Sequence, residues 1–167
     1  RGGDRCVIVY VDVLVCTNLF RDSFKRNAHS GYIQNILKNG IPEKTKLILN
    51  ADDLIACGLK KENTCSYFGV APLEGEEQIT DNIIRDVTAC PNCDHTLVYD
   101  FCRYNHVGQV HCPACGLTSP KADVQTLSVD KQAGSMQVKI GETVHAFPMT
   151  GDNITDIYNT PAAIALL

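Results

Sequence analysis

A chain of 167 residues is long enough for one domain, or one domain carrying a small insertion, and its 44% hydrophobic content supports a sizeable core. The net charge of -4 leaves no electrostatic footprint for nucleic acid or an anionic membrane, so no nucleic-acid partner is expected. The longest apolar run, Cys6 to Cys16, is broken by Asp12 and too short to span a bilayer, and the sequence does not open on a signal-peptide pattern.

Cys6 to Val11 and Val13 to Cys16 are β-branched, nearly continuous apolar runs, as expected of parallel strands buried on both faces. Only Asp12 separates them, so they form one long strand or have lost a connecting segment. Tyr32, Ile33, Ile36 and Leu37 lie at helical spacing, and Gly40 with Pro42 stops that helix. Lys46 to Leu49 is predicted as a buried strand. Asn50-Ala51-Asp52-Asp53 follows at its carboxyl end, where Asp52 or Asp53 can cap a short helix through about Gly58. Thr64 to Val70 is a further strand. This alternation is that of an open parallel α/β sheet.

The stretch from Leu73 to Asp86 is acidic and expected to be loop-rich. Cys90-Pro-Asn-Cys93 and Cys112-Pro-Ala-Cys115-Gly116 then enclose eighteen intervening residues, whose strands are expected at Leu97 to Tyr99 and Gln109 to His111. Two such thiol pairs can converge on one tetrahedral zinc ion, and four thiolates leave it no open position, so the zinc is structural. Gly116 suits the left-handed turn after the second pair, and Asp94 is a tolerable substitute after the first. His95, His106 and His111 lie nearby, with His111 placed in a strand beside the site. Between Cys90 and Pro120 there is one arginine, Arg103, against two aspartates, Asp94 and Asp100, which argues against a nucleic-acid ribbon. Nine cysteines is a high, odd count. The five left over (Cys6, Cys16, Cys57, Cys65 and Cys102) sit mostly in apolar runs as small hydrophobes, which favours a reducing compartment, the cytoplasm.

After Pro120, Val124 to Val129, Met136 to Ile140 and Thr143 to Phe147 form an antiparallel meander with turns at Ala133-Gly134-Ser135 and Gly141-Glu142. A helix from Ile154 to Leu167 closes the sequence. Polar residues at the carboxyl ends of the parallel strands (Thr17, Asn18, Asp22, Asn50, Asp52 and Asp53) mark the edge where open α/β sheets bind ligands. Each is also a common capping residue, and Asp52 and Asp53 stand evenly between capping and ligand duty. There is no Gly-Lys dipeptide, and so no Walker-type phosphate loop.

Thr17 to Asp22, Leu49 to Asp53 and Tyr67-Phe68-Gly69 together resemble the central domain of the Mur ligases. The cysteine ribbon, with Leu97-Val98-Tyr99, Arg103-Tyr104 and His106-Val107-Gly108, and then Tyr158-Asn159 before Ala162-Ala163-Ile164-Ala165, narrows the resemblance to the MurT-type subunit of lipid II isoglutaminyl synthase. The resemblance implies an α/β fold: an open, mostly parallel sheet of the Mur central-domain type (residues 1–86 and 121–167), an inserted four-cysteine zinc ribbon (87–120) and an antiparallel meander. It implies ATP and magnesium as cofactors, a GatD-type glutaminase partner, and amidation of the D-glutamate α-carboxylate of lipid II at the membrane surface. By position, Asn18 and Asp22 would lie near the phosphates and magnesium, and Asp156 and Asn159 would face the adenine. Tyr10 and Ser23 depart from the family pattern, as does Asp156, and neither phosphate loop nor carboxyl-terminal domain is recognisable. The chain is expected to be a fragment, a degenerate relative, or one lacking connecting segments. A non-catalytic ribbon scaffold derived from the family is the alternative.

Overall fold

The computed structural model describes residues 11–19, 30–76 and 87–167, with the side chains of 30–34 left aside. Cys6 to Tyr10 of the first expected strand lie outside the described residues, as do Asp22 and Ser23. Eight strands and three helices follow: β1 (Val13–Cys16), α1 (Ser30–Gly40), β2 (Lys46–Asn50), α2 (Leu54–Cys57), β3 (Cys65–Val70), β4 (Val98–Tyr104), β5 (Val107–His111), β6 (Val124–Asp130), β7 (Ser135–Ile140), β8 (Thr143–Pro148) and α3 (Ile154–Ile164). No described helix is long and apolar enough to cross a membrane.

Six strands make one sheet in the order β1-β2-β3-β6-β7-β8. β1, β2, β3 and β6 pair in parallel, while β6, β7 and β8 continue as an antiparallel meander in that same sheet. The architecture is therefore the mixed, mostly parallel α/β sheet expected.

β2 lies at the centre of the parallel part, and its side chains alternate between two cores. Leu47 and Leu49 join Cys16, Ile41, Ala56 and Leu59 on one face. Ile48 points the other way, into a cluster with Phe68, Val70, Val138, Ile157, Tyr158 and Ala162. Burial on both sides is why this strand has no polar alternation. β1 differs from the sequence expectation. Among the described residues it is the last strand on its side of the sheet, and Val13 and Val15 on its second face are more than a third exposed.

A parallel crossover needs a long connection, usually a helix. Within the described residues, the β3–β6 crossover carries the antiparallel β4–β5 hairpin, the two-stranded sheet that bears the cysteines. This hairpin is longer than its predicted strands because β4 runs on to Tyr104. Its far end reaches the main core, where Val107 is fully buried among Ile48, Phe68 and Val70. Its near end has a small core of Leu97, Tyr99, Cys102 and Val110, against which Leu54 of α2 packs. α3 stops at Ile164 rather than Leu167. Beyond it Leu166 and Leu167 are exposed.

Candidate functional site

The two cysteine pairs form matching turns. Cys90 N–H donates to His95 O at 2.8 Å, and Cys112 N–H to Leu117 O at 2.7 Å. Asp94 N–H returns to Cys90 O at 2.9 Å, and Gly116 N–H to Cys112 O at 3.0 Å. Both Asp94 (φ 58°) and Gly116 (φ 74°) take the left-handed conformation, which lets the chain turn back around the sulfurs. The two turns face each other, with Cys90 Sγ 3.5 Å from Cys115 Sγ and Cys93 Sγ 3.6 Å from Cys112 Sγ.

All four cysteines are free thiols, and their sulfurs lie within 4.8 Å of one another. Four sulfurs about 2.3 Å from a tetrahedral ion would be about 3.8 Å apart, so the cluster fits a metal ion with little adjustment. Desolvation opposes ionisation of Cys112, but the N–H groups of Cys115 and Ala114 and the adjoining thiols bring its pKa down to about 6. Two of the leftover cysteines, Cys16 and Cys57, behave otherwise. Burial, together with the charge of Asp53, pushes Cys16 up to about 12 and Cys57 well above its ordinary value, so both are inert packing thiols.

At the carboxyl end of β2, Asn50, Asp52 and Asp53 are all fully buried. Asp53 is the N-cap of α2, its Oδ1 accepting from Ile55 N–H at 2.9 Å and Ala56 N–H at 3.0 Å. Its Oδ2 accepts from Leu19 N–H at 2.6 Å, and Oδ1 lies 3.0 Å from His106 Nε2. Asn50 Nδ2 donates to Thr17 O at 2.9 Å, while Asn50 Oδ1 accepts from Asp52 N–H at 3.0 Å. Together Asn50 and Asp53 pin the segment that carries Asn18.

Asp52 accepts from Val70 N–H at 3.0 Å, Tyr158 Oη–H at 2.7 Å and Gln109 Nε2 at 3.4 Å. Burial raises its pKa above the ordinary value, and those donors, with the Arg103 guanidinium 3.7 Å away, only partly oppose the rise. Gly69 lines the same carboxylate, since a Cβ there would come within 3.3 Å of both oxygens.

The remaining predicted residues lie on α3. Asn153 caps that helix, accepting from Asp156 N–H at 2.9 Å, and donates in return to the Asp156 carboxylate. Asn159 is exposed one turn later on the same face. The sequence-predicted residues therefore divide in two. Asn18 and Asn159 have accessible surface, whereas Asn50, Asp52 and Asp53 are enclosed, and Asp156 is engaged at a helix end.

Sequence reasoning missed Arg103, His106 and Tyr158 as members of this cluster. Arg103 reads in the sequence as a lone ribbon cation, yet it is buried between Phe101 and Tyr158 and meets Glu76, Asp52 and two carbonyls. A usable signal was the pair of adjacent acids at the end of an apolar strand, because buried carboxylates require donors.

The described residues thus form a four-cysteine hairpin set into a mostly parallel α/β sheet, with a polar cluster at the strand ends. The solved structure of a pseudomurein peptide ligase type C from Methanothermus fervidus superposes with a TM-score of 0.73 at 28% identity, over 93% of this chain and 30% of that one. The MurT subunit of the lipid II isoglutaminyl synthase (glutamine-hydrolyzing) of Staphylococcus aureus is 34% identical over 158 residues, 93% of this chain. The corresponding MurT subunit of Streptococcus pneumoniae is 26% identical over 165 residues. No protein-family profile matches the chain. The chain is MurT-like, and it spans about a third of the length of these relatives, 35% and 36% respectively.

Proposed function

We propose that this chain forms the nucleotide-binding central part of a MurT-like amidoligase subunit. In the reaction, ATP activates the D-glutamate α-carboxylate of lipid II as an acyl phosphate, and ammonia from a GatD-type glutaminase displaces the phosphate. The setting is the cytoplasmic face of the membrane. The observation that carries the reading is the similarity to the Staphylococcus aureus MurT subunit, 34% identical over 93% of the chain.

The nucleotide sits at the carboxyl edge of the parallel strands, with Asn18 and Asp22 toward the phosphates and magnesium and Asn159 toward the base. Asn50, Asp52, Asp53 and Asp156 serve it chiefly by holding the elements that present those residues, since their polar atoms are engaged in hydrogen bonds within the protein. Zinc is the metal proposed for Cys90, Cys93, Cys112 and Cys115. Four thiolates select a soft ion and close its coordination sphere, so its contribution is to the fold and not to the bond-making step.

Isothermal titration of MgATP into the full-length protein tests this reading. The expected result is saturable one-to-one binding, weakened at least roughly tenfold by Asn159→Ala, the loss of about one good polar contact. Absence of binding at millimolar nucleotide would overturn the ligase reading and leave the ribbon scaffold.

A further inference from the structure

The four-cysteine hairpin touches the rest of the protein where two carboxylates are buried side by side. β4 and β5 fall out of register between Cys102 and Tyr104, so that Arg103 is an extra residue opposite the Val107–Gly108 step. A bulge of this kind turns a side chain out of the normal alternation. Here it lets Phe101, Cys102 and Arg103 all be buried in succession. Gly108 makes the bulge possible, because a Cβ at that position would sit 2.0 Å from Phe101 O. The Gly108 N–H is thereby free to reach out of the hairpin and donate to Asp52 O at 2.7 Å.

Every donor of the guanidinium is used. Arg103 Nε and Nη2 grip the two Glu76 oxygens at 2.6 and 3.0 Å. Nη2 also donates to Ala71 O at 2.5 Å, and Nη1 to Val70 O at 3.0 Å and Tyr158 Oη at 2.7 Å. Five donors thus meet five acceptors, an arrangement that the three donors of a lysine cannot reproduce. Tyr158 passes the interaction on by donating to Asp52. Beyond the bulge, Asn105 turns the chain in a left-handed conformation, and His106 reaches Asp53.

We infer that the hairpin is a clamp on the sheet edge, with Arg103 and His106 as positioning residues and the metal at the cysteines setting whether the clamp holds. An isolated two-stranded hairpin is barely stable in water, so β4–β5 depends on what closes its base. That base is the four-sulfur cluster, joined to the tip through Tyr99, Cys102 and Val110. The tip holds Asp53, which in turn holds the Asn18 segment and the first turn of α2. It also holds Asp52 and Tyr158, which fix α3 and therefore Asn159. The nucleotide role of Asn18 and Asn159 rests on the function proposed above, whereas the clamp does not.

Hydrogen–deuterium exchange read by mass spectrometry tests the clamp without nucleotide, so its outcome is independent of the ligase reading. The full-length protein is compared loaded with zinc(II) and after removal of zinc with a chelator under reducing conditions. Exchange is expected to quicken at least roughly tenfold at residues 50–57 and 154–164, to stay unchanged in β7 and β8, and to be restored by added zinc, as for an edge that opens locally. Acceleration confined to 87–120 would overturn the inference. So would loss of protection throughout the protein, which would make the metal a requirement of the whole fold. Zinc-loaded Arg103→Lys is expected to retain its zinc while α3 exchanges faster. Exchange in that variant identical to the unsubstituted protein would also overturn the inference. If the variant fails to fold, the zinc-removal comparison decides the matter alone, since it requires no substitution.

Discussion

Tyr158→Phe removes a single oxygen from the centre of the buried cluster. The ring is 2% exposed and packs with Ile48, Phe68 and Ala162, so phenylalanine keeps the apolar contacts. What disappears is the donor to Asp52 and the acceptor for Arg103, each at 2.7 Å. Hydrogen bonds to charged groups contribute about 1.5–3 kcal/mol each. The two losses do not add in full, because Asp52 keeps the Val70 N–H and Arg103 keeps the Val70 carbonyl. The expected destabilisation is therefore about 2–3 kcal/mol. At about 2–4 °C per kcal/mol for a domain of this size, the midpoint should fall by roughly 4–12 °C. Thermal unfolding followed by circular dichroism, with zinc content checked in the same samples, measures it. A change below about 0.5 kcal/mol, within the range of ordinary surface substitutions, would refute the view that this hydroxyl bridges two buried charges.

Cys93→Ser and Cys112→Ser should each lower bound zinc from one per chain toward none, read by elemental analysis of protein purified without chelator. Gly108→Ala should cost about 1–3 kcal/mol or more in denaturant unfolding, because its Cβ meets Phe101 O at 2.0 Å and the bulge cannot relax without moving Arg103. Asp52 gives an inverted pH dependence. Its folded pKa is raised above 3.8, so the folded protein holds this proton more tightly than the unfolded chain. Its contribution to stability therefore falls as pH rises from the unfolded value through the folded one and is level above. The melting temperature of the unsubstituted protein relative to Asp52→Asn should decline over that window, and a rise would contradict the assignment.

Much of the domain was legible because its signals are local. The strands expected at Lys46 to Leu49 and Thr64 to Val70 correspond to β2 and β3, and Gly40 with Pro42 marked the stop of α1. Asp53 caps α2, one of the two readings the sequence left open for it. The cysteine turns could be read down to their left-handed residues, Asp94 and Gly116, because ligand spacing and backbone sign are both properties of a few adjacent residues. β1 was misjudged for a complementary reason. Its composition is that of a central strand, yet among the described residues it ends the sheet and Val13 and Val15 are exposed, and strand order is not written in a strand's own residues.

The sequence by itself determined the alternation of strands and helices, the four thiols and the resemblance that they complete. Only the tertiary structure decided what Asp52, Asp53 and Arg103 do. Arg103 lies 51 positions from Asp52, and His106 lies 53 from Asp53, and no periodicity links such residues. They meet because the β3–β6 crossover folds back as a hairpin onto the end of β2, where burial makes each charge depend on the groups brought to it.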